Sequence, residues 1–249
     1  MPARIDLLGV PVDCVDMGQA LDFLTGHIAH GTGCATVFAV NPEKIMRARR
    51  DGALRSLLAS ATLLIPDGIG AVLAARVLGL GRFGRVPGSE LMPNLCERAA
   101  ALGYSVFLFG ARPEVNDEAA AVLSRRFPTL RIAGRQHGYV EEADMPALVE
   151  RINASGADIL FVALGSPRQE AWMHSHAPEL RVKVAQGVGG TLDVIAGRVN
   201  RAPPLFLALN LEWLYRLLRE PSRIWRQRAL VAFVWAVAKR KIAGKAADA

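Results

Sequence analysis

Short runs of β-branched and aliphatic residues alternate with amphipathic segments through the first 200 residues of this chain. The runs at 5–10, 35–40, 62–65, 105–109, 130–133, 159–164 and 182–186 have the length and residue types of strands. Between them, residues 17–29, 114–127 and 145–154 repeat apolar positions every three or four residues, the period of a helix with one buried face. Strand, helix, strand, helix predicts an α/β fold. The expected architecture is a Rossmann-like, largely parallel sheet flanked by helices, in a catalytic domain spanning 1–200. No repeat or low-complexity linker interrupts it.

The remaining residues, 201–249, read as a separate C-terminal helical appendage. Pro203 and Pro204 open a helix predicted over 205–219, Pro221 ends it, and Ser222 is placed to cap a last helix running to about residue 242. Arg216, Arg219, Arg223 and Arg226 would share one face if the two helices were nearly collinear.

Charge separates the two parts. Residues 198–249 hold eleven Lys or Arg against three acids, a surplus of eight, whereas residues 1–197 hold nineteen bases and twenty acids. The tail's basic residues surround an apolar decamer, 229–238, that contains Phe233 and Trp235. A neutral body with a basic, aromatic-tipped tail suits an enzyme working on an anionic surface or a phosphate-rich substrate. No run reaches the roughly 20 apolar residues of a membrane-spanning helix. The apolar stretch near the start, bracketed by Asp6 and Asp13, is too short for a signal peptide. Three separated cysteines, Cys14, Cys34 and Cys96, fit reduced thiols and neither a disulfide framework nor a zinc site. The expectation is a cytoplasmic protein, peripheral on the inner face of the cell membrane.

Ligands of a doubly wound sheet bind beyond the carboxyl ends of its strands. Four such junctions here have unusual composition: Asn41-Pro42-Glu43; Pro66-Asp67-Gly68; Gly165-Ser166-Pro167-Arg168-Gln169-Glu170; and Gly187-Val188-Gly189-Gly190-Thr191-Leu192-Asp193. The last admits two readings, a tight β-to-α turn or a glycine cradle that lets backbone N–H groups approach a diphosphate. Asp67 also admits two, a carboxylate fixed at a strand end for chemistry or the N-cap of the helix starting near Ile69. His174 and His176 are two apart and make a poor metal pair on a helix. No H-E-x-x-H, C-x-x-C, G-x-S-x-G or Asp-x-Asp occurs, so no metal or cofactor is expected and arginines would have to meet any diphosphate.

These junctions, with Arg201-Ala202-Pro203, Leu211-Glu212-Trp213-Leu214-Tyr215-Arg216-Leu217 and Glu220-Pro221-Ser222-Arg223-Ile224, resemble the WecG/TagA/CpsF family of glycosyltransferases over nearly the whole chain. The resemblance implies inverting transfer of a sugar from a UDP donor to polyprenyl-diphosphate-linked N-acetylglucosamine, for cell-surface polysaccharide. It implies that Asp67 is the general base, that Asn41 and Gln169 line the sugar pocket, and that Arg85, in Arg-Val-Pro-Gly, lies beside it. Gly110, Gly165, Ser166, Glu170, Gly187, Gly189, Gly190 and Asp193 join the donor site, and Arg216, Arg223 and Arg226 reach the diphosphates. Ala39 stands where teichoic-acid members carry Thr. That departure and the tail point to an N-acetylmannosaminuronic acid or N-acetylmannosamine donor, with a UDP-glucose-dependent exopolysaccharide glucosyltransferase as the alternative.

Competing classes fit less well. A nucleic-acid binder would use the basic tail on phosphates, but the neutral body and apolar decamer speak against it, so no nucleic acid is expected. A nucleotide-sugar dehydrogenase or epimerase lacks its G-x-G-x-x-G. The tail's aromatic stripe serves equally as a membrane-surface element, with Trp225, Phe233 and Trp235 inserting shallowly, or as a homo-oligomer seam.

Overall fold

The structure, a computed structural model, describes residues 1–199, 203, 206, 215 and 224–247. Six parallel strands form the sheet: β3 (Ala35–Val40), β4 (Leu63–Pro66), β5 (Ser105–Gly110), β6 (Arg131–Gln136), β7 (Ile159–Ala163) and β8 (Val184–Gly187), in the order β4-β3-β8-β7-β5-β6. Each lies within one or two residues of its expected run, except that β6 continues three residues beyond 133. The reason is that parallel strands covered on both faces are near-continuous apolar runs; all residues of β5 and β7 are buried.

Residues 5–10 are not one strand. They belong to an antiparallel hairpin outside the sheet, β1 (Arg4–Leu7) and β2 (Val10–Asp13). Leu8 and Gly9 turn with φ of 61° and 88°, the geometry of a two-residue turn with both central residues left-handed. The apolar run hides this turn because Leu8 itself is apolar. Asp13 fastens the hairpin to β4. Its buried carboxylate accepts Arg4 Nε and Nη2 at 2.7 Å each and Leu64 N–H at 2.7 Å.

Helices cover both faces. On one side lie α1 (Met17–His30), α5 (Gly88–Leu102), α6 (Pro113–Arg126) and α9 (Thr191–Ile195). On the other lie α2 (Pro42–Ala48), α3 (Gly52–Ala59), α4 (Ile69–Leu78), α7 (Met145–Ala154) and α8 (Arg168–His176), together with the hairpin. Asp16, Asn41 and Asp51 cap α1, α2 and α3 with side-chain oxygens, satisfying N–H groups that have no partner inside the helix.

The last helix, α10 (Ile224–Ala247), starts beside the expected cap and runs about five residues further than expected. It packs on α2 and α4, burying Phe233 and Val237 in the same core. Phe233 is therefore a core residue and not a membrane-inserting one, because α10 is apolar on two sides and one of them faces the body. The Trp225 side chain and the helix expected over 205–219 fall outside the described residues, apart from Phe206 and Tyr215, whose ring centroids are 5.5 Å apart. Among the described residues, no helix is long and apolar enough to cross a membrane.

Asp13→Ala removes the acceptor of a buried N–H and of the Arg4 fork. The expected loss is roughly 2–4 kcal/mol, read from the urea unfolding midpoint. A loss below about 0.5 kcal/mol, the ordinary surface value, would assign the hairpin's attachment to its apolar side chains alone.

Candidate active site

Because every strand of the sheet is parallel, the carboxyl ends of β4, β3, β8 and β7 lie side by side along one edge in that order. Asn41 follows β3 and caps α2, its Oδ1 accepting Lys44 N–H at 2.9 Å. Asp67 follows β4, and its N–H continues the ladder to Val40 C=O at 2.9 Å. The next turn is pressed against the Asn41–Pro42 turn. A Cβ on Gly68 would sit 3.0 Å from Pro42 Cδ and 3.3 Å from Asn41 Cβ, and one on Gly70 would sit 2.7 Å from Pro42 Cγ. Glycine at these two positions is what brings Asp67 and Asn41 to the same place.

Asp67 is not a helix cap. Gly68 holds the N-cap position of α4 without a side-chain bond. The half-buried Asp67 carboxylate instead accepts the N–H of Gly88 at 3.2 Å, at the start of α5. The segment leading to Gly88 runs beside the end of β4, with Val86 N–H on Pro66 C=O at 2.8 Å. It carries Arg85, whose Nη2 lies 3.3 Å from Glu90 Oε1.

The second half of the site joins β7 to β8. Gln169, in the first turn of α8, accepts Gly189 N–H on Oε1 at 3.0 Å. Gly187 makes room for it, since a Cβ there would lie 2.6 Å from Gln169 Nε2. Glu170 is completely buried. Its Oε1 accepts Lys44 Nζ at 2.7 Å, and the same Nζ donates to Ala39 C=O at 2.6 Å. Glu170 Oε2 has no partner among the described residues. A polar chain thus runs from the end of β3 through Lys44, Glu170 and Gln169 to the end of β8, with Gln169 Nε2 3.5 Å from Glu170 Oε1.

Of the other residues singled out from sequence, Gly165 (φ 75°) and exposed Ser166 form the β7–α8 turn. Gly190 precedes the five-residue α9, which carries half-buried Asp193. Gly110 sits beyond β7, on β5, where a Cβ would lie 2.4 Å from Ala163 C=O; close backbone approach accounts for this glycine without a ligand. Arg216 and Arg223 lie outside the described residues, as does the side chain of Arg226. Lys44 and Gln186, which sequence reasoning missed, complete the arrangement together with Gly88 of the Arg-Val-Pro-Gly segment. Lys44 stands three residues after Asn41, the spacing of an N-cap to its bonded N–H, and Gln186 is the one amide in the apolar run at 182–186.

Among the described residues, the other titratable groups offer no rival centre. Burial pushes the Cys34 and Cys96 thiols up to about 12, which keeps them protonated and poor nucleophiles. His174 contacts Ser60 Oγ at 3.0 Å, while the His176 ring packs on Trp172 with centroids 4.9 Å apart. Among the described residues, no three His, Cys, Asp or Glu side chains gather as metal ligands would.

Residues 5–247 match the family model of the glycosyl transferase WecG/TagA/CpsF family. A protein of Staphylococcus aureus (strain MRSA252), N-acetylglucosaminyldiphosphoundecaprenol N-acetyl-beta-D-mannosaminyltransferase, is 36% identical to this chain over 240 residues, covering 96% of this chain and 94% of the relative.

Lys44→Met leaves the Glu170 carboxylate buried without its cation, a change expected to cost about 3–5 kcal/mol. Lys44→Met combined with Glu170→Leu should recover most of it, as judged by urea unfolding. Equal losses in the single and double variants would show that the site of Lys44 matters for packing and not for charge.

Proposed function

The chain belongs to the WecG/TagA/CpsF family of glycosyltransferases, and we propose that it moves an N-acetylmannosamine-type sugar from a UDP donor to polyprenyl-diphosphate-linked N-acetylglucosamine. The carrying observation is that Asp67 and Asn41 lie together at the adjacent ends of β4 and β3, with Gln169 bound to Gly189 beyond the end of the next strand, β8, in a chain whose named relative is a mannosaminyltransferase acting on N-acetylglucosaminyldiphosphoundecaprenol. That name favours the mannosaminyl donor over glucose.

Asp67 supplies the base. Its carboxylate is held at one oxygen by Gly88 N–H and is half-buried at the strand edge, where an acceptor hydroxyl can reach it. It takes the hydroxyl proton as the acceptor oxygen bonds to the anomeric carbon, and the bond from that carbon to the diphosphate oxygen breaks with UDP leaving on the opposite face. The configuration inverts. Positioned base catalysis contributes about 10²–10⁴ in rate. The arginines Arg216, Arg223 and Arg226 are assigned to the diphosphate, in place of a metal ion, because in the glycine turn the Val188 and Gly189 N–H groups are already bonded to Val162 C=O and Gln169 Oε1. Each charge-assisted bond contributes about 1.5–3 kcal/mol.

The acceptor's lipid places the reaction at a membrane, and α10 has the surface for it. Val231, Trp235 and Ile242 are 69–72% exposed on the side opposite Phe233 and Val237, with Val234, 60% exposed, on the flank between. Lys239 leans over the Trp235 ring at 5.7 Å, and Arg228 is exposed one turn before Val231 and Ala232. A groove of about 920 Å³ runs along this helix beside Leu8, Met46 and Arg49. Cations near an anionic surface contribute about 1 kcal/mol each, and the apolar ridge adds shallow insertion.

Two outcomes are expected. Offered UDP-sugars and lipid-diphosphate-linked N-acetylglucosamine, the enzyme forms an N-acetylmannosamine-type disaccharide identified by mass and linkage, and Asp67→Asn keeps UDP binding while losing about 10²–10⁴ of kcat. Near-normal turnover of that variant would remove Asp67 from the base role, and a glucosyl product would overturn the donor. Separately, anionic vesicles should sediment the protein at low salt, and Val231→Ser with Trp235→Ser should release it. Sedimentation unaffected by either salt or substitution would place attachment elsewhere.

A further inference from the structure

Gln186 is a completely buried amide on β8, in the middle of the sheet, paired in register with Val37 of β3 and Phe161 of β7. Its Oε1 has no hydrogen-bond partner among the described residues. Burying an unpaired carbonyl costs stability, and Met or Leu would fill the same volume without that cost. Packing therefore does not account for an amide here. Its Nε2 does have a partner, donating to Gly88 C=O at 3.2 Å. The orientation is fixed, because exchanging the amide O and N would set two oxygens against each other.

Gly88 is the first residue of α5, whose start has no side-chain cap. It lies beside two other strand ends, since a Cβ on it would be in ordinary contact with Ala39 Cβ at 3.8 Å and Gly187 C=O at 4.0 Å. Its N–H is the one that binds Asp67 Oδ1. The central strand thus holds Gly88 by its carbonyl, and Gly88 holds the carboxylate by its N–H.

We propose that Gln186 is a positioning residue for the transfer reaction, orienting Asp67 through Gly88 without touching substrate. The inference rests on Asp67 being the base. A reacting group displaced by about 1 Å loses on the order of 10²-fold in rate, so freeing Gly88 acts on kcat and leaves the donor's grip intact.

The test is a double-mutant cycle on the full chain with Gln186→Met, Asp67→Asn and both together, measuring kcat, donor KM and thermal unfolding. Gln186→Met is expected to lower kcat by about 10- to 100-fold, to change donor KM less than about threefold, and to leave the unfolding temperature level or higher. In the Asp67→Asn background the same change should have no further effect on the residual rate, because the group it positions is gone. Unchanged kcat in Gln186→Met, or the same fold-loss in both backgrounds, overturns the proposal while leaving the base assignment standing. Full turnover by Asp67→Asn overturns both. If Gln186→Met does not fold, Gln186→Leu is carried through the same cycle. Faster hydrogen exchange at the Gly88 amide in either variant is the expected physical signature, and unchanged exchange counts against the proposal.

Discussion

The molecule depends on where its last strand goes. β8 enters between β3 and β7, not at an edge, so a strand near residue 185 pairs directly with one near residue 36. Parallel pairing forces both to point the same way, and each carboxyl end is left with backbone groups that the ladder does not consume. With β8 in the centre, Gly189 N–H reaches Gln169 and Gly88 reaches both Asp67 and Gln186. The site follows from the insertion, and the insertion follows from β8 being apolar enough to be buried on both faces.

A centre of this kind leaves little room, and glycine does much of the work of closing it. Gly68 and Gly70 let one turn lie on Pro42, and Gly187 lets Gln169 lie over β8. What glycine vacates, polar side chains fill, and they must then be paired because water has been excluded. The Lys44–Glu170 bond is the costly case. Two charges leave water, and their attraction is supplemented by a further hydrogen bond that the ammonium donates to Ala39 C=O. The pair adds little to stability by itself. What it supplies is a fixed distance between α2 and α8, and hence between the two halves of the edge.

The sequence made the strands and the edge residues legible, for physical reasons that also mark the limit. Buried parallel strands are continuous apolar runs, so β3, β5 and β7 stand out, while the hairpin's turn is hidden by an apolar Leu8 adopting a left-handed conformation. Asn41, Asp67 and Gln169 are polar residues at strand ends, where composition changes abruptly. Their partners are another matter. Lys44 and Glu170 are 126 residues apart and Gln186 and Gly88 are 98 apart, and nothing local in either sequence neighbourhood announces the other. For the same reason Glu170, read as a ligand contact beside Gln169, is a buried ion-pair partner, and Gly110 is accounted for by the carbonyl of Ala163.

α10 shows how a weak pattern arises from two strong ones. Phe233 and Val237 are four apart and share the buried face, while Val231, Trp235 and Ile242, four and seven apart, share the opposite one. Two apolar stripes on opposite sides nearly cancel, so the amphipathic signal of the helix is faint although neither stripe is accidental. A helix apolar all round belongs in a core or in lipid. The body satisfies one stripe here and water faces the other, with Trp235 69% exposed. On the proposed reading the second stripe is satisfied only at the bilayer, where the lipid-linked acceptor resides, so the same unburied surface that adds nothing to the isolated protein's stability in solution directs it to its substrate.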